Sequence, residues 1–254
     1  MNGFVYYPAG HTKALEYAVE ALRRHGCCIA STPSRAVTHL LLDVPSFAPD
    51  GTLRAAGKIE DMLPLLHSDV TVVGGNLQHP ALSGRKTLDL LQDPIYLTEN
   101  ADITAHCALK IALAQLQVTL KGCQVLVIGW GRIGKCLAAL LKRMGAIVSV
   151  AARKEADLAM LLTLGYDIQN SENLNYCLAR YRVIFNTVPA TVISEDALEF
   201  CLPNCLKIDL ASQKGIAGEN VIWARGLPGK DAPETSGELI ARSILRLRQK
   251  GESL

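Results

Sequence analysis

The sequence predicts an α/β protein with two parallel sheets, and three observations support that fold class. The chain has 254 residues, 49% of them hydrophobic but 5% aromatic, with 20 glycines; this aliphatic bias suits parallel strands that helices cover on both faces. Short apolar runs alternate with amphipathic helical patterns along most of the chain. Near its middle, a glycine-rich turn follows an apolar strand and opens a helix.

The first hundred residues alternate strand and helix patterns. Strands are predicted at 4–9, 27–31, 39–44 and 69–75, with a weak strand at 94–98, and helices at 12–25 and 55–66. This order is typical of a small flavodoxin-like open sheet, which we place at residues 1–100. An amphipathic helix over 102–116 follows, and we interpret residues 101–120 as a bridge between two domains.

The second half begins with a complete βαβ unit. CQVLVI (123–128) is a continuous apolar strand, Gly129-Trp130-Gly131-Arg132-Ile133-Gly134 follows at once, and a helix over 135–144 leads to the strand IVSVAA (147–152). In such a turn the first glycine permits the tight bend, the second lets a pyrophosphate approach the backbone, and the third lets the helix pack on the strand. We therefore predict a doubly wound Rossmann domain at 121–232 whose glycine turn binds a dinucleotide at these six residues.

The residues after the second strand of this unit indicate which nicotinamide nucleotide binds. NAD enzymes place an acidic residue there, against the ribose hydroxyls. This chain has Arg153 and Lys154 instead, and a guanidinium can bind a 2′-phosphate in a bidentate manner. The pattern favours NADP over NAD. The alternative is that Arg153 stacks on the adenine or faces solvent.

Three further predicted strands, at 183–190, 206–212 and 221–229, continue the sheet. Ligands of such sheets bind beyond the carboxyl ends of the strands. As catalytic candidates we take Asn186, Asp209 and Ser212; as cofactor contacts we take Thr187, Val188, Pro189, Leu210 and Ala211. The alternative for these residues is turn formation and capping.

A last helix over 233–249, within a C-terminal segment at 233–254, either packs back on the first domain or forms a dimer seam. Thr235 or Ser236 is expected to cap it.

Composition and charge exclude several classes of protein. With 26 Lys and Arg against 24 Asp and Glu, the net charge is +2, too weak for a general nucleic-acid binder. No apolar run reaches the length of a membrane span, and the first residues lack a secretory signal pattern, so we expect a soluble, cytoplasmic protein. The eight cysteines form no CxxC; we expect core thiols and no metal site.

Several motifs together resemble one family. VLVIGWGRIGKCLAALLKRMGAIVSVAARK, NTVPA, KIDLAS and GLPGKDAPETSGELIA resemble the A-chain family of bacterial dipicolinate synthases over roughly residues 95–250. More distantly, the arrangement is similar to D-2-hydroxyacid dehydrogenases and S-adenosylhomocysteine hydrolase. The resemblance implies oxidation of a dihydrodipicolinate-type intermediate to dipicolinate, with a small dicarboxylate substrate held between two domains. It also implies that the partner is a flavoprotein-like B subunit, in the mother cell of sporulating bacteria.

Such an aromatisation removes a hydride and a proton, so a base is needed. His106 is the first candidate, with His11 and His79 as others; a surface histidine without a catalytic task is the alternative. Two other functions stay open: an NADP-dependent dehydrogenase of another small carboxylic acid, and a cofactor-binding protein without catalysis of its own. The sequence leaves the oligomeric state open, including a homo-oligomer.

Overall fold

The computed structural model describes residues 4–54 and 57–251. The first eight elements are β1 (Val5–Pro8), α1 (Lys13–Arg24), β2 (Cys28–Ile29), β3 (His39–Leu41), α2 (Ile59–Met62), β4 (Thr71–Gly74), β5 (Thr87–Asp89) and α3 (Pro94–Gln115). They are followed by β6 (Gln124–Ile128), α4 (Arg132–Arg143), β7 (Ile147–Ala152), α5 (Glu155–Thr163), β8 (Asp167–Asn170), β9 (Val183–Asn186), β10 (Leu206–Asp209), β11 (Ile222–Trp223), α6 (Leu227–Asp231) and α7 (Pro233–Gly251).

The chain divides into two compact units. Unit 1 takes the residues up to Asn100 together with those from Pro228 onward, and unit 2 takes Ala101–Leu227. The five strands of unit 1 form a parallel sheet in the order β2-β1-β3-β4-β5. This is the flavodoxin-like order, as the alternating pattern of the first hundred residues predicted.

The sequence of helix α1 explains where the helix begins and which of its faces is buried. Thr12 is the N-cap, and its hydroxyl accepts the N–H of Leu15 at 3.3 Å, which satisfies one of the free donors of the first turn. Leu15, Ala18 and Leu22 recur at helical spacing and are buried.

Helix α7 packs against α1 within unit 1. At Gly237 the two backbones come so close that a Cβ would lie 2.5 Å from the carbonyl oxygen of Ala14. An ion pair between Arg24 and Glu238 joins α1 to α7, and one between Glu99 and Arg242 joins α7 to the beginning of α3. The C-terminal helix is thus an integral part of unit 1.

Three predictions about secondary structure are wrong. The predicted strand at 221–229 runs into helix α6 (Leu227–Asp231), and β11 occupies Ile222–Trp223. The weak strand at 94–98 is the beginning of α3. The carboxylate of Asp93 accepts the N–H of Tyr96 at 2.9 Å, and Pro94 occupies the first helical position, where proline costs no hydrogen bond. Thr235 and Ser236 do not cap α7, because both lie inside its first turn after Pro233. The predicted helix at 55–66 begins on residues 55 and 56, which lie outside the described residues; α2 occupies Ile59–Met62.

Unit 2 contains a six-stranded parallel sheet in the order β11-β10-β9-β6-β7-β8. This is the doubly wound Rossmann order, so the predicted fold class is confirmed. β6 is central and its residues Val125 to Ile128 are fully buried. Ile128, at its end, is in register with Ala151 of β7 and Asn186 of β9. The carboxyl ends of these three strands therefore meet at one edge, where the glycine turn starts. Among the helices in the described ranges, none is long and apolar enough to cross a membrane.

Candidate dinucleotide site

The three glycines of the turn after β6 have different surroundings. Gly129 has φ +105°, and a Cβ there would lie 2.3 Å from the hydroxyl of Thr187. A Cβ at Gly134 would lie 2.1 Å from the carbonyl oxygen of Gly129, so α4 packs directly on the turn. A Cβ at Gly131 would meet no atom within 4 Å. The space above Gly131 is therefore open to a ligand, as the spacing predicted.

Helix α4 presents a free N-terminus to this space. Gly131 is its N-cap in an extended conformation, and no side chain caps the helix. The first-turn N–H groups, including those of Arg132 and Ile133, therefore remain available to an anion, and the helix dipole adds partial positive charge. A diphosphate fits this donor set without help from a side chain.

A cleft of about 650 Å³ extends from the turn across the carboxyl ends of the strands. This volume is in the range of small-molecule sites. Its walls include Gly129, Trp130 and Gly131, then Arg153 and Lys154 after β7, and Val188 after β9. Arg153 and Lys154 line this cleft and are exposed to solvent.

The cleft also contains residues that sequence reasoning missed. Asp157, Ser171, Glu172, Thr191 and Val192 belong to its lining. Ser171 and Glu172 follow β8, which is parallel to β7 and adjacent to it. Recognising DIQN (167–170) as a strand would have placed them at this edge, but its polar residues give only a weak strand signal.

Two predicted catalytic residues, Asn186 and Asp209, form a buried pair at the ends of β9 and β10. Both are 0% exposed. The Asn186 amide nitrogen donates to Asp209 Oδ1 at 3.0 Å and to the Val188 carbonyl at 2.9 Å, and its amide oxygen accepts the Val188 N–H. The Asp209 carboxylate also accepts N–H groups from Ala211, Gly215 and Ile216. We call this arrangement the Asn186–Asp209 lock; it fixes the loops that follow both strands.

The remaining strand-end residues occupy different depths. The Thr187 hydroxyl donates to the Ile128 carbonyl at 3.0 Å, which ties the β9 loop to the end of β6. Pro189 and Ser212 are exposed, whereas Leu210 and Ala211 are buried and lie outside the lining of the cleft.

Trp130 contacts the α4 side of the turn as well as the cleft. Its ring is 5.8 Å from the Tyr166 ring, centroid to centroid, in an edge-to-face arrangement, and the Lys135 ammonium lies 5.6 Å from its centroid. These contacts orient the indole.

The histidine candidates lie in three different places. His106 is on α3 in unit 2, with a side chain 59% exposed, and its Nε2 lies 3.9 Å from a carboxylate oxygen of Asp102. His79, in unit 1, stacks on Phe47 with ring centroids 4.5 Å apart, and its Nδ1 accepts the Ala81 N–H. The backbone N–H of His11 donates to the Asp43 carboxylate. Nothing in these contacts joins a histidine to the glycine turn.

Comparison with known proteins agrees with this geometry. Residues 94–199 match the family described as D-isomer specific 2-hydroxyacid dehydrogenase, NAD binding domain. The chain is 26% identical over 240 residues to the dipicolinate synthase A subunit of Bacillus subtilis (strain 168), in an alignment that covers 87% of this chain and 81% of that protein. The resemblance that the motifs indicated is thereby confirmed.

Solved structures share the fold. The dipicolinate synthase A subunit from Bacillus halodurans superposes with a TM-score of 0.83 at 22% identity, over 97% of this chain and 98% of the other. D-lactate dehydrogenase from Escherichia coli gives 0.63 at 13% identity, over 98% and 97%. The chain therefore contains an NAD-binding domain within a dehydrogenase-like fold similar to that of the dipicolinate synthase A subunit, which supports a nicotinamide cofactor.

Proposed function

We propose that this chain is an NADP-dependent oxidoreductase that converts a dihydrodipicolinate-type intermediate to dipicolinate. The observation that supports it most directly is the open space above Gly131 at the uncapped start of α4. A side chain at position 131 would fill that space. With glycine there, a diphosphate can accept hydrogen bonds from the N–H groups of the first turn of α4. The 26% identity to the dipicolinate synthase A subunit supports the substrate class, a small dicarboxylate.

The preference for NADP rests on charge at the far end of the cleft. Arg153 and Lys154 directly follow β7, where an acidic residue would bind the ribose of NAD, and both line the cleft. A guanidinium and an ammonium stabilise a 2′-phosphate by charge-assisted hydrogen bonds. Asp157 and Glu172 line the same cleft, and their carboxylates repel a phosphate that lies away from the two cations.

The chemistry divides between the cofactor and the chain. The oxidised nicotinamide of a bound cofactor would serve as the hydride acceptor. The Asn186–Asp209 lock holds the loops at the carboxyl ends of β9 and β10, so its two side chains act as positioning residues in this proposal. Ser212 offers an exposed hydroxyl for substrate. His106 is the proposed proton acceptor, and its Nε2 lies 3.9 Å from a carboxylate oxygen of Asp102.

The proposed partner and setting are those that the family resemblance implies. The name of the similar Bacillus subtilis protein describes one part of a larger enzyme, so we propose that this chain also works with a flavoprotein-like B subunit. The same proposal includes a role in the cytoplasm of a sporulating cell, and it leaves the oligomeric state open.

The cofactor assignment is tested at Arg153. We expect the wild-type chain to bind NADP at least ten-fold more tightly than NAD, because a charge-assisted hydrogen bond contributes about 1.5–3 kcal/mol. Arg153→Asp should lower the affinity for NADP by roughly ten- to hundred-fold, and should leave NAD binding unchanged or tighter, because an acidic residue at this position suits the ribose hydroxyls of NAD. The matched control is Arg180→Asp, at an exposed arginine outside the cleft lining. An unchanged NADP preference in Arg153→Asp would refute the assignment.

The family match of residues 94–199 favours a second candidate, a dehydrogenase of another small carboxylic acid such as a 2-hydroxy acid. A spectrophotometric screen with NADP, following nicotinamide absorbance, distinguishes the two. Turnover of a 2-hydroxy acid, without turnover of a dihydrodipicolinate-type substrate, would favour the second candidate. Nucleotide binding without turnover of either, in the presence of the B subunit, would instead favour a non-catalytic role for this chain.

A further inference from the structure

A second cleft of unit 2 lies at the opposite end of the strands from the dinucleotide cleft. It has a volume of about 580 Å³, which is in the range of small-molecule sites. Its lining includes Gln124, the first residue of β6, and Arg182, the residue before β9. The backbone N–H of Arg182 donates to the Gln124 carbonyl at 3.0 Å. We call it the amino-end cleft, because it lies where these strands begin, whereas the glycine turn follows the end of β6.

The charged residues that line the amino-end cleft are cations. They are Lys121, Arg180 and Arg182, and within the described residues no Asp or Glu belongs to the lining. The ion pairs that join residues in the described ranges include none of these three side chains. The dinucleotide cleft differs, because the carboxylates of Asp157 and Glu172 belong to its lining. Positive charge without neighbouring carboxylates favours the binding of an anion.

Arg182 carries a buried donor that lacks a protein acceptor. The residue is half-buried, and its Nε is buried without a hydrogen-bond partner among the residues that the structure describes. Buried polar atoms are generally hydrogen-bonded, and a buried cationic donor without an acceptor is unfavourable, because it has lost its hydration without a replacement. An anion in the cleft would offset this cost, since it pairs with the same guanidinium.

The neutral part of the lining suits an organic molecule. Val118 and Leu202 contribute apolar side chains, and Val118 is 49% exposed. Thr119 and Asn204 contribute polar groups that can donate or accept hydrogen bonds. An inorganic ion alone would fill a small part of the cleft. The cleft therefore has room for a larger molecule that carries an anionic group.

We propose that the amino-end cleft binds a small organic phosphate. A phosphate monoester carries a charge of about −1.5 to −2 at neutral pH and three acceptor oxygens, which match the three cations of the lining. A guanidinium pairs with phosphate in a bidentate manner, and an ammonium pairs with it as a point charge. A single carboxylate offers one charge and two oxygens, so it uses this lining less fully. The organic part of the ligand lies against Val118 and Leu202.

This proposal is independent of the cofactor assignment. In the described part of the chain, the linings of the two clefts have no residue in common, and the test needs neither cofactor nor substrate. The glycine turn is a second place where a phosphate group can bind. The test therefore includes a variant at that turn.

The test titrates the full-length chain with phenyl phosphate in a calorimeter at neutral pH. We expect one site per chain with a dissociation constant on the order of 1 mM. Lys121→Gln and Arg182→Met should each weaken binding by about five-fold or more, because each removes a charged partner of the phosphate. The matched control is Arg132→Gln, at an exposed arginine of the glycine turn, which should keep wild-type affinity. Weaker binding in Arg132→Gln, with unchanged binding in the other two variants, would place the phosphate at the turn and overturn the proposal.

Two further probes test the class of ligand. Inorganic phosphate carries the charge without an organic part, and it should bind at least about five-fold more weakly than phenyl phosphate. Phthalate is an organic dianion with two carboxylates and should also bind more weakly. Equal or tighter binding of phthalate would overturn the assignment to phosphates. The absence of saturable phenyl phosphate binding up to about 10 mM would overturn the site itself.

Thermal unfolding separates a binding role of Arg182 from a structural one. Without ligand, Arg182→Met should melt at the wild-type temperature or higher, because methionine keeps an apolar stem without a buried cationic donor. Phenyl phosphate should raise the melting temperature of the wild-type chain by more than that of Arg182→Met. A lower melting temperature of Arg182→Met, together with wild-type affinity in Lys121→Gln, would assign Arg182 a structural role and overturn the proposal.

Discussion

An added methyl group should lower dinucleotide affinity at Gly131 but should lower folding stability at Gly134. Gly131→Ala should leave the free energy of unfolding within about 0.5 kcal/mol of wild type, because its Cβ meets open space. It should lower dinucleotide affinity by about ten-fold, since the methyl occupies the diphosphate position. Gly134→Ala should instead cost about 1–3 kcal/mol of stability, because its Cβ overlaps the Gly129 carbonyl. Urea unfolding and calorimetric titration check both. A destabilised Gly131→Ala chain with full affinity would contradict this account of the turn.

The surroundings of His39 should make the stability of unit 1 depend on pH. Burial, helped by the Arg248 charge, lowers its pKa from 6.5 to about 4. Because the unfolded chain binds this proton more readily than the folded one, stability is complete above about pH 6.5 and falls as the pH decreases toward 4. The expected loss is about 2 kcal/mol, allowing for partial exposure. Urea unfolding at a series of pH values should show a smaller loss for His39→Gln than for wild type.

The control for this prediction is His25→Gln, since His25 is exposed at the end of α1. That variant should follow the wild-type pH curve. If the stability of His39→Gln depended on pH in the same way as that of wild type, the loss of stability at low pH would not come from His39.

Single residues differ in how far the sequence could predict their role. The glycines of the turn could be assigned because their roles depend on local spacing after one strand. The Asn186–Asp209 lock could not, because the two residues are 23 positions apart and meet through the register of β9 and β10. Ser171 and Glu172 were missed for a related reason, since their place in the cleft depends on β8 lying beside β7.

At the scale of elements, the packing of α7 on α1 predicts a stability effect. Gly237→Ala should destabilise the chain by about 1–3 kcal/mol, because its Cβ would lie 2.5 Å from the Ala14 carbonyl and the Tyr17 Cβ. Gly229→Ala is the matched control in α6, where a Cβ meets nothing within 4 Å, and should change stability by less than about 0.5 kcal/mol. Thermal and urea unfolding measure both. Equal stability of the two variants would contradict the close helix contact.

The helix α3 shows the limit of pattern reading for elements. PIYLT contains β-branched and aromatic residues, which favour strands over so short a window. Tyr96 is buried and its N–H is bonded to Asp93, so tertiary packing and a capping carboxylate outweigh local propensity. The strands β6 and β7, which are mostly apolar and buried, were predicted within one residue at each end.

At the scale of the whole molecule, the two sheets followed from the alternation of strands and helices. Consecutive parallel strands joined by helices leave few topologies, since such crossovers are right-handed. The strand orders themselves, and the return of the C-terminal helix to unit 1, needed the structure, because they depend on contacts between residues far apart in the chain, such as Arg24 and Glu238.

We propose above that the turn after β6 binds NADP in preference to NAD. Calorimetric titration of the full-length chain with NADP and with NAD tests it most directly, with the quenching of Trp130 fluorescence as a second signal because Trp130 lines the cleft. We expect saturable binding of one NADP per chain, at least ten-fold tighter than the binding of NAD. Absence of heat and of fluorescence change with both nucleotides would contradict it.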